Sequence, residues 1–144
     1  MTLILGVDPG KTTGLSLIEV IEKKITLKMV RESRDETAVD WLDLLQEADV
    51  VVLEDFLVRP KNARTGSFDW NDMVAPRVIG AVTALSQVLH KKLVKQQPSI
   101  KPIGFAWSNQ RYVKGKKGTH VQDATAHAVY YAVRILKANP VGNS

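Results

Sequence analysis

Leu3-Ile4-Leu5-Gly6-Val7 is an unbroken apolar run that stops at Asp8-Pro9-Gly10. A run this short, closed by turn residues, predicts a strand buried on both faces near the middle of a sheet. Leu15 to Val20 and Lys24 to Val30 alternate apolar and polar positions, with Glu22-Lys23 between them, which predicts two more strands joined by a hairpin. Asp35-Glu36-Thr37 then places acids and a capping side chain ahead of Val39, Trp41, Leu42, Leu44 and Leu45, the pattern of an amphipathic helix ending near Ala48. Asp49 to Glu54, "DVVVLE", repeats the first strand's design: a β-branched run that ends on a carboxylate. Beyond it, "VRPKNARTGSFDWN" (58–71) reads as a long polar loop, residues 72–92 as a helix, "KPIGFAW" (101–107) as a fifth strand, and "SNQRYVKGKKG" as a basic, turn-rich segment. Thr119 and Gln122 have the spacing of a capping box and open a last helix running to about Lys137. The predicted order is βββαβαβα, an α/β fold on a mixed five-stranded sheet whose first three strands are antiparallel. It forms one domain over residues 1–138 with a short tail at 139–144.

Charge sharpens this picture. The chain of 144 residues carries a formal net charge of +5, unevenly distributed. Residues 1–72 hold 9 Lys/Arg and 14 Asp/Glu, whereas residues 73–144 hold 11 Lys/Arg and a single acid, Asp123. A basic half of this kind is an electrostatic footprint for a polyanion, nucleic acid first among them; a solvated surface that happens to be basic is the alternative. The absence of cysteine excludes disulfides, thiol catalysis and thiolate metal sites, leaving Asp, Glu, His and backbone oxygens as metal donors. No apolar stretch approaches the ~20 residues that span a bilayer, and no basic leader precedes the first strand, so a soluble cytoplasmic protein with no membrane partner is expected.

"GVDPGKTTG" (6–14) superficially suggests a phosphate loop. A Walker loop needs four residues between its first glycine and Gly-Lys, and must lead from a strand directly into a helix. Here three residues separate Gly6 from Gly10, a strand follows, and Pro9 removes an N–H that a phosphate cradle would use. A tight turn accounts for the residues better, and no nucleotide cofactor is expected. Asp8 alone reads equally well as a turn-initiating residue or as a functional acid. Glu54 tips the balance: two carboxylates ending neighbouring buried strands are most easily tolerated around a divalent cation. His120, Asp123 and His127 lie at i, i+3 and i+7 on the last helix, opposite an apolar stripe of Val121, Ala124, Ala128, Ala132 and Ile135. Asp123 is also favoured by its place in the first turns of a helix, and histidines on such a helix are commonly plain surface residues. Together, Asp8, Glu54 and Asp123 with His120 or His127 form an oxygen-rich site suited to Mg²⁺ or Mn²⁺. Two such ions can support phosphodiester hydrolysis, with a histidine holding or deprotonating the attacking water.

The ordered motifs resemble the RuvC-like Holliday-junction resolvases of the RNase H-like nuclease superfamily, and the small size resembles the bacteriophage branch. "ILGVDPGKTTGLSLI" is similar to that family's first strand and turn, with Asp8 at the first catalytic aspartate. "VVVLEDF" is similar to its fourth strand, with Glu54 at the catalytic glutamate, and "APRVIGAV" to the helix that follows. "HVQDATAHAV" resembles the final catalytic helix, whose paired positions fall on His120 and Asp123. The chain departs from the family in running from "VKGKKG" almost directly into the last helix, and in a longer, more aromatic loop after Glu54. Both regions are where such enzymes meet the junction, so the chemistry carries over more safely than selectivity for four-way DNA.

The resemblance implies an RNase H-like fold, a homodimer, and metal-dependent endonuclease activity on branched DNA. Asp8, Glu54 and Asp123 (with His120) would bind two Mg²⁺ or Mn²⁺ ions, and His120 or His127 would assist the water. Lys11, Arg59, Lys61, Arg64, Arg111, Lys114, Lys116 and Lys117 are the candidate phosphate contacts. Phe56, Phe68 and Trp70 are each either a stacking platform for an unpaired base or part of the core. An RNA-processing nuclease of the same fold and a non-catalytic nucleic-acid-binding domain are the alternatives. "VLED" favours the resolvase, because the ribosomal-RNA maturation relatives lack that strand ending.

Overall fold

In the computed structural model, which describes residues 1–55, 73–110 and 119–141, five strands form one sheet in the order β3-β2-β1-β4-β5. β1 (Thr2–Asp8), β2 (Thr13–Ile21) and β3 (Lys24–Ser33) are antiparallel, while β4 (Val50–Glu54) and β5 (Lys92–Gln96) run parallel to β1. Among the described residues four α-helices accompany them: α1 (Leu42–Glu47), α2 (Val74–Val88), α3 (Lys101–Trp107) and α4 (His120–Arg134). None of the described helices is long and apolar enough to cross a membrane.

The first half follows the hydrophobic pattern closely. Glu22 and Lys23 both take positive φ, 48° and 68°, as a two-residue hairpin turn of matching twist requires. The helix expected to begin at Val39 starts instead as a 3-10 turn, Val39–Trp41, before α1. The Asp35 carboxylate holds that entry by accepting from the Thr37 N–H and hydroxyl and from the Asp40 N–H.

The second half departs from expectation in two linked places. Residues 92–96 are a strand where the expected helix was to end at Lys92 with no element assigned after it, and residues 101–107 are a helix rather than the fifth strand. Leu85, Leu89 and Leu93 continue a helical spacing, which hides the break. What stops α2 is His90 at φ 57°: Lys91 N–H donates to Ser86 O at 2.8 Å and His90 N–H to Gln87 O at 3.2 Å, a Schellman ending built without glycine. In α3, Ile103, Phe105 and Trp107 mimic strand alternation, and Pro102 argues superficially against a helix. Proline is compatible with a first helical turn, and that is where Pro102 stands. α2 and α4 also end sooner than expected, at Val88 and Arg134.

Period-2 alternation sorts the strands into two cores. Leu5, Val7, Leu15, Leu17, Val51 and Leu53 pack with Trp41, Leu44, Leu45, Val74, Val78 and Val82 on one face. Ile4, Ile18, Val20, Val50 and Val52 pack with Ala128, Val129, Tyr131 and Ala132 of α4 on the other. α4 lies in near backbone contact with the sheet. A Cβ placed on Gly6 would strike the Ala124 carbonyl and come within 3.0 Å of Ala128 Cβ; one on Gly14 would strike the His120 backbone, and one on Gly104 of α3 the Ala126 carbonyl. The Thr125 hydroxyl donates to Ser16 Oγ at 2.7 Å, pinning the helix to β2.

Glycines at these contacts and on the open side of α2 should respond oppositely to a methyl group. Gly6→Ala and Gly14→Ala are expected to destabilise by about 1–3 kcal/mol or more through forced displacement of α4. Gly80→Ala, with nothing within 4 Å of the added Cβ, should stabilise by about 0.5–1 kcal/mol. Denaturant unfolding of the three variants measures both effects.

Candidate active site

The alternation that builds the α4-side core also places the acids. Ile4, Gly6 and Asp8 face α4, as do Val50, Val52 and Glu54; β1 and β4 pair in parallel with Val7 opposite Leu53, so the two carboxylates emerge side by side at the strand ends. Asp8 is 6 % exposed and Glu54 8 %. Asp123 arrives from the first turns of α4, whose start is fixed by the capping box: Gln122 N–H donates to Thr119 Oγ1 at 3.1 Å and Thr119 N–H to Gln122 Oε1 at 2.9 Å. The same first turn brings His120 Nδ1 to 3.2 Å from Asp8 Oδ2, with half of its side chain open to solvent.

Two residues that sequence reasoning did not single out complete the cluster. Lys101, the first residue of α3, places Nζ 2.8 Å from Glu54 Oε1 and 3.3 Å from Asp123 Oδ2, bridging the two acids. Gln96, the last residue of β5, pairs in register with Glu54 and sets its side-chain Oε1 2.8 Å from His127 Nδ1. A strand read at 92–96 would have revealed Gln96, because it shares the phase of Val94, and would have started the next helix at Lys101. His127 is fully buried, unlike the surface histidine its helical spacing also allowed, with Nε2 3.6 Å from Glu54 Oε1.

The electrostatics follow from crowding acids into a buried corner. Burial, then a hydrogen bond and repulsion from Glu54 and repulsion from Asp123, push Asp8 up to about 9 despite the pull of Lys101. Burial acts on Glu54 in the same direction, but His127, Asp8 and Lys101 outweigh it and hold Glu54 down at about 2. The crowding therefore disfavours ionising both carboxylates of the pair together. Burial disfavours the Lys101 charge, yet Glu54, Asp123 and Asp8 raise its pKa above the usual lysine value. Such a corner calls for positive charge, and its donors, carboxylate oxygens with an imidazole at the rim, fit a hard divalent cation. Among the described residues, no three His, Asp or Glu side chains as they stand are arranged to enclose one ion. In this arrangement the Lys101 ammonium pairs with both Glu54 and Asp123.

Of the side chains expected to meet DNA, Lys11 is exposed on the β1–β2 turn, directly beyond Asp8. Phe56, Arg59, Lys61, Arg64, Phe68, Trp70, Arg111, Lys114, Lys116 and Lys117 lie outside the described residues.

Solved structures share this architecture. The chain superposes on Thermus thermophilus RuvC in complex with a Holliday junction substrate with a TM-score of 0.67, covering 98 % of this chain and 100 % of that one at 17 % identity. Its fold is the RNase H-like fold of RuvC. The fowlpox virus resolvase bound to Holliday junction DNA matches at a TM-score of 0.58 and 17 % identity, covering 93 % of this chain and 99 % of that one. The yeast mitochondrial Holliday junction resolvase Ydc2 matches at 0.56 and 12 % identity, over 90 % and 75 %. No protein-family model matches the sequence, and no curated protein matches it significantly. The topology is thus shared with these structures at a sequence identity of 17 % or less.

The Asp8 proton gives the folded state one more bound proton than the unfolded chain between the ordinary value of 3.8 and about 9. In a chelator, stability is therefore expected to fall as pH rises across that interval. Glu54 works the other way, and its contribution is lost only as pH drops from its ordinary 4.5 toward about 2. Asp8→Asn mimics the protonated form, so it should flatten the slope above about pH 5 and become progressively more stable than the wild type as pH rises through that interval. Denaturant midpoints collected across pH for both proteins check this.

Proposed function

We propose that this protein is a divalent-metal-dependent endonuclease that hydrolyses phosphodiester bonds in branched DNA, in the manner of a Holliday-junction resolvase. The observation that carries the proposal is the convergence of Asp8, Glu54 and Asp123 at one end of the sheet, on a fold shared with proteins solved as Holliday-junction complexes. Asp8, Glu54 and Asp123, with His120 at the rim, are the residues that would hold Mg²⁺ or Mn²⁺. When bound, such ions supply activation of water and stabilisation of the departing oxygen.

The chain's own residues divide the remaining work. Asp8 would have to lose its proton to serve as a ligand, which would couple ion binding to proton release. His120 is half-open to solvent beside Asp8, placed to hold or deprotonate the attacking water. Lys101, a cation beside Glu54 and Asp123, would be available to a phosphate oxygen once those carboxylates served as ligands. Lys11 reaches the backbone beyond Asp8, and the basic residues between 59 and 64 and between 111 and 117 extend the phosphate contacts, with Phe56, Phe68 or Trp70 offered to an unpaired base. Two copies, one for each of two symmetrically related strands, complete the reading.

The test is a cleavage assay on a synthetic four-way junction, with linear duplex and structured RNA as competitors and Mg²⁺ or Mn²⁺ titrated in. Nicking of the junction in preference to both competitors is expected; RNA cleavage would favour the RNA-processing alternative, and binding without nicking a non-catalytic domain. Asp8→Asn should bind the junction but lose cleavage by at least about a thousandfold, on the scale of removing a group essential to the chemistry. Retained cleavage would overturn the site assignment. Junction affinity should also fall steeply with salt, as counterions released by the lysines require; a flat response would argue against the basic half as the DNA footprint.

A further inference from the structure

The fully buried His127 has its two ring nitrogens in different environments. Nδ1 is tied to the Gln96 side chain at 2.8 Å, whereas Nε2 has no hydrogen-bond partner and points toward Glu54 Oε1 at 3.6 Å. A buried polar atom left unpaired is costly, and one left beside a carboxylate has an evident partner. If Nδ1 alone carried the proton, a lone pair on Nε2 would face a negatively charged oxygen. The favourable arrangements all put a proton on Nε2. In the neutral ring this requires the Gln96 amide to turn its NH₂ toward Nδ1, which that side chain can do without moving its backbone.

We propose that His127 is a positioning residue for Glu54: Gln96 fixes the ring so that Nε2–H faces Glu54 Oε1 and holds that carboxylate in the orientation from which it binds a metal ion. The parts are supplied by three elements of the fold. Glu54 ends β4, Gln96 ends the neighbouring β5 in register with it, and Asp55 N–H donates to Gln96 O at 2.8 Å, so the strand ends are locked together. α4 delivers His127 between them, two helical turns beyond His120. Glu54 Oε1 is thereby approached from two directions, by Lys101 at 2.8 Å and by His127 at 3.6 Å. Lys101 is partly exposed, whereas His127 is sealed in the core and stays. The metal part of this inference rests on the proposed function, whereas the geometry of the ring and Glu54 stands without it.

Two measurements on the full chain test it. In ¹⁵N-labelled protein with chelator, long-range ¹H–¹⁵N spectra should show a proton on His127 Nε2, with a shift that responds to Glu54→Gln. An unprotonated Nε2, or a shift indifferent to that substitution, would overturn the proposal. Mn²⁺ titration followed by electron paramagnetic resonance then compares two replacements of His127. His127→Gln carries an amide nitrogen at the position of Nε2 and should bind within a few-fold of wild type. His127→Asn replaces only Nδ1 and should bind about 10–100-fold more weakly, the range for loss of a group that orients a ligand. Equal affinity for the asparagine variant and wild type, with both folded by thermal melting, would overturn the positioning role. Failure of the wild-type protein to bind Mn²⁺ would count against the metal reading alone, and the spectrum of His127 would still decide whether it holds Glu54.

Discussion

Three carboxylates brought out of water at one end of a sheet are the constraint around which the rest of this structure is arranged. Left to themselves, Asp8 and Glu54 could not both be readily ionised in that corner. The fold meets the problem in three ways at once: Asp8 retains a proton, Lys101 is inserted between Glu54 and Asp123, and His127 is set behind Glu54. Each remedy draws on a different element, so β1, β4, β5, α3 and α4 must all be in place before the corner is tolerable. Burial of this kind is a cost in folding that the rest of the structure has to offset.

Much of this was legible in the chain because the first strands obey a strict period of two. Asp8 shares its phase with Ile4, and Glu54 shares its phase with Val50 and Val52, so two acids on one face of neighbouring strands follow from counting. The capping box at Thr119 and Gln122 fixed the phase of α4, which put His120 and Asp123 in the right turn of the right helix. These are local signals, each written within a few residues of the group that it places.

What sequence alone did not disclose was set by contacts rather than by spacing. α2 ends at a histidine in the left-handed region, stabilised by its own carbonyl pattern and not by a residue type that marks helix ends. Missing that stop moved β5 out of view, and with it Gln96 and the true position of Lys101. The burial of His127 was likewise hidden, since its helical neighbours Ala126 and Ala128 are small enough to admit an imidazole into the core beside β4 and β5. A polar side chain among alanines reads as surface in a sequence and as a deliberate internal contact in the structure.

The backbone contacts of α4 with the sheet and with α3 have a consequence for how such a protein can change over generations or at the bench. Gly6, Gly14 and Gly104 meet the carbonyls of Ala124, His120 and Ala126 with no side chain between them. The helix therefore has one seat, and sliding or rolling it to retune the corner is closed off. A chimaera that imports this helix from a distant protein must bring small residues at 124, 126 and 128 with it, or its acid and histidine will arrive an ångström or more from their partners. Variation is channelled instead to the rim, where side chains can be exchanged without disturbing the seat.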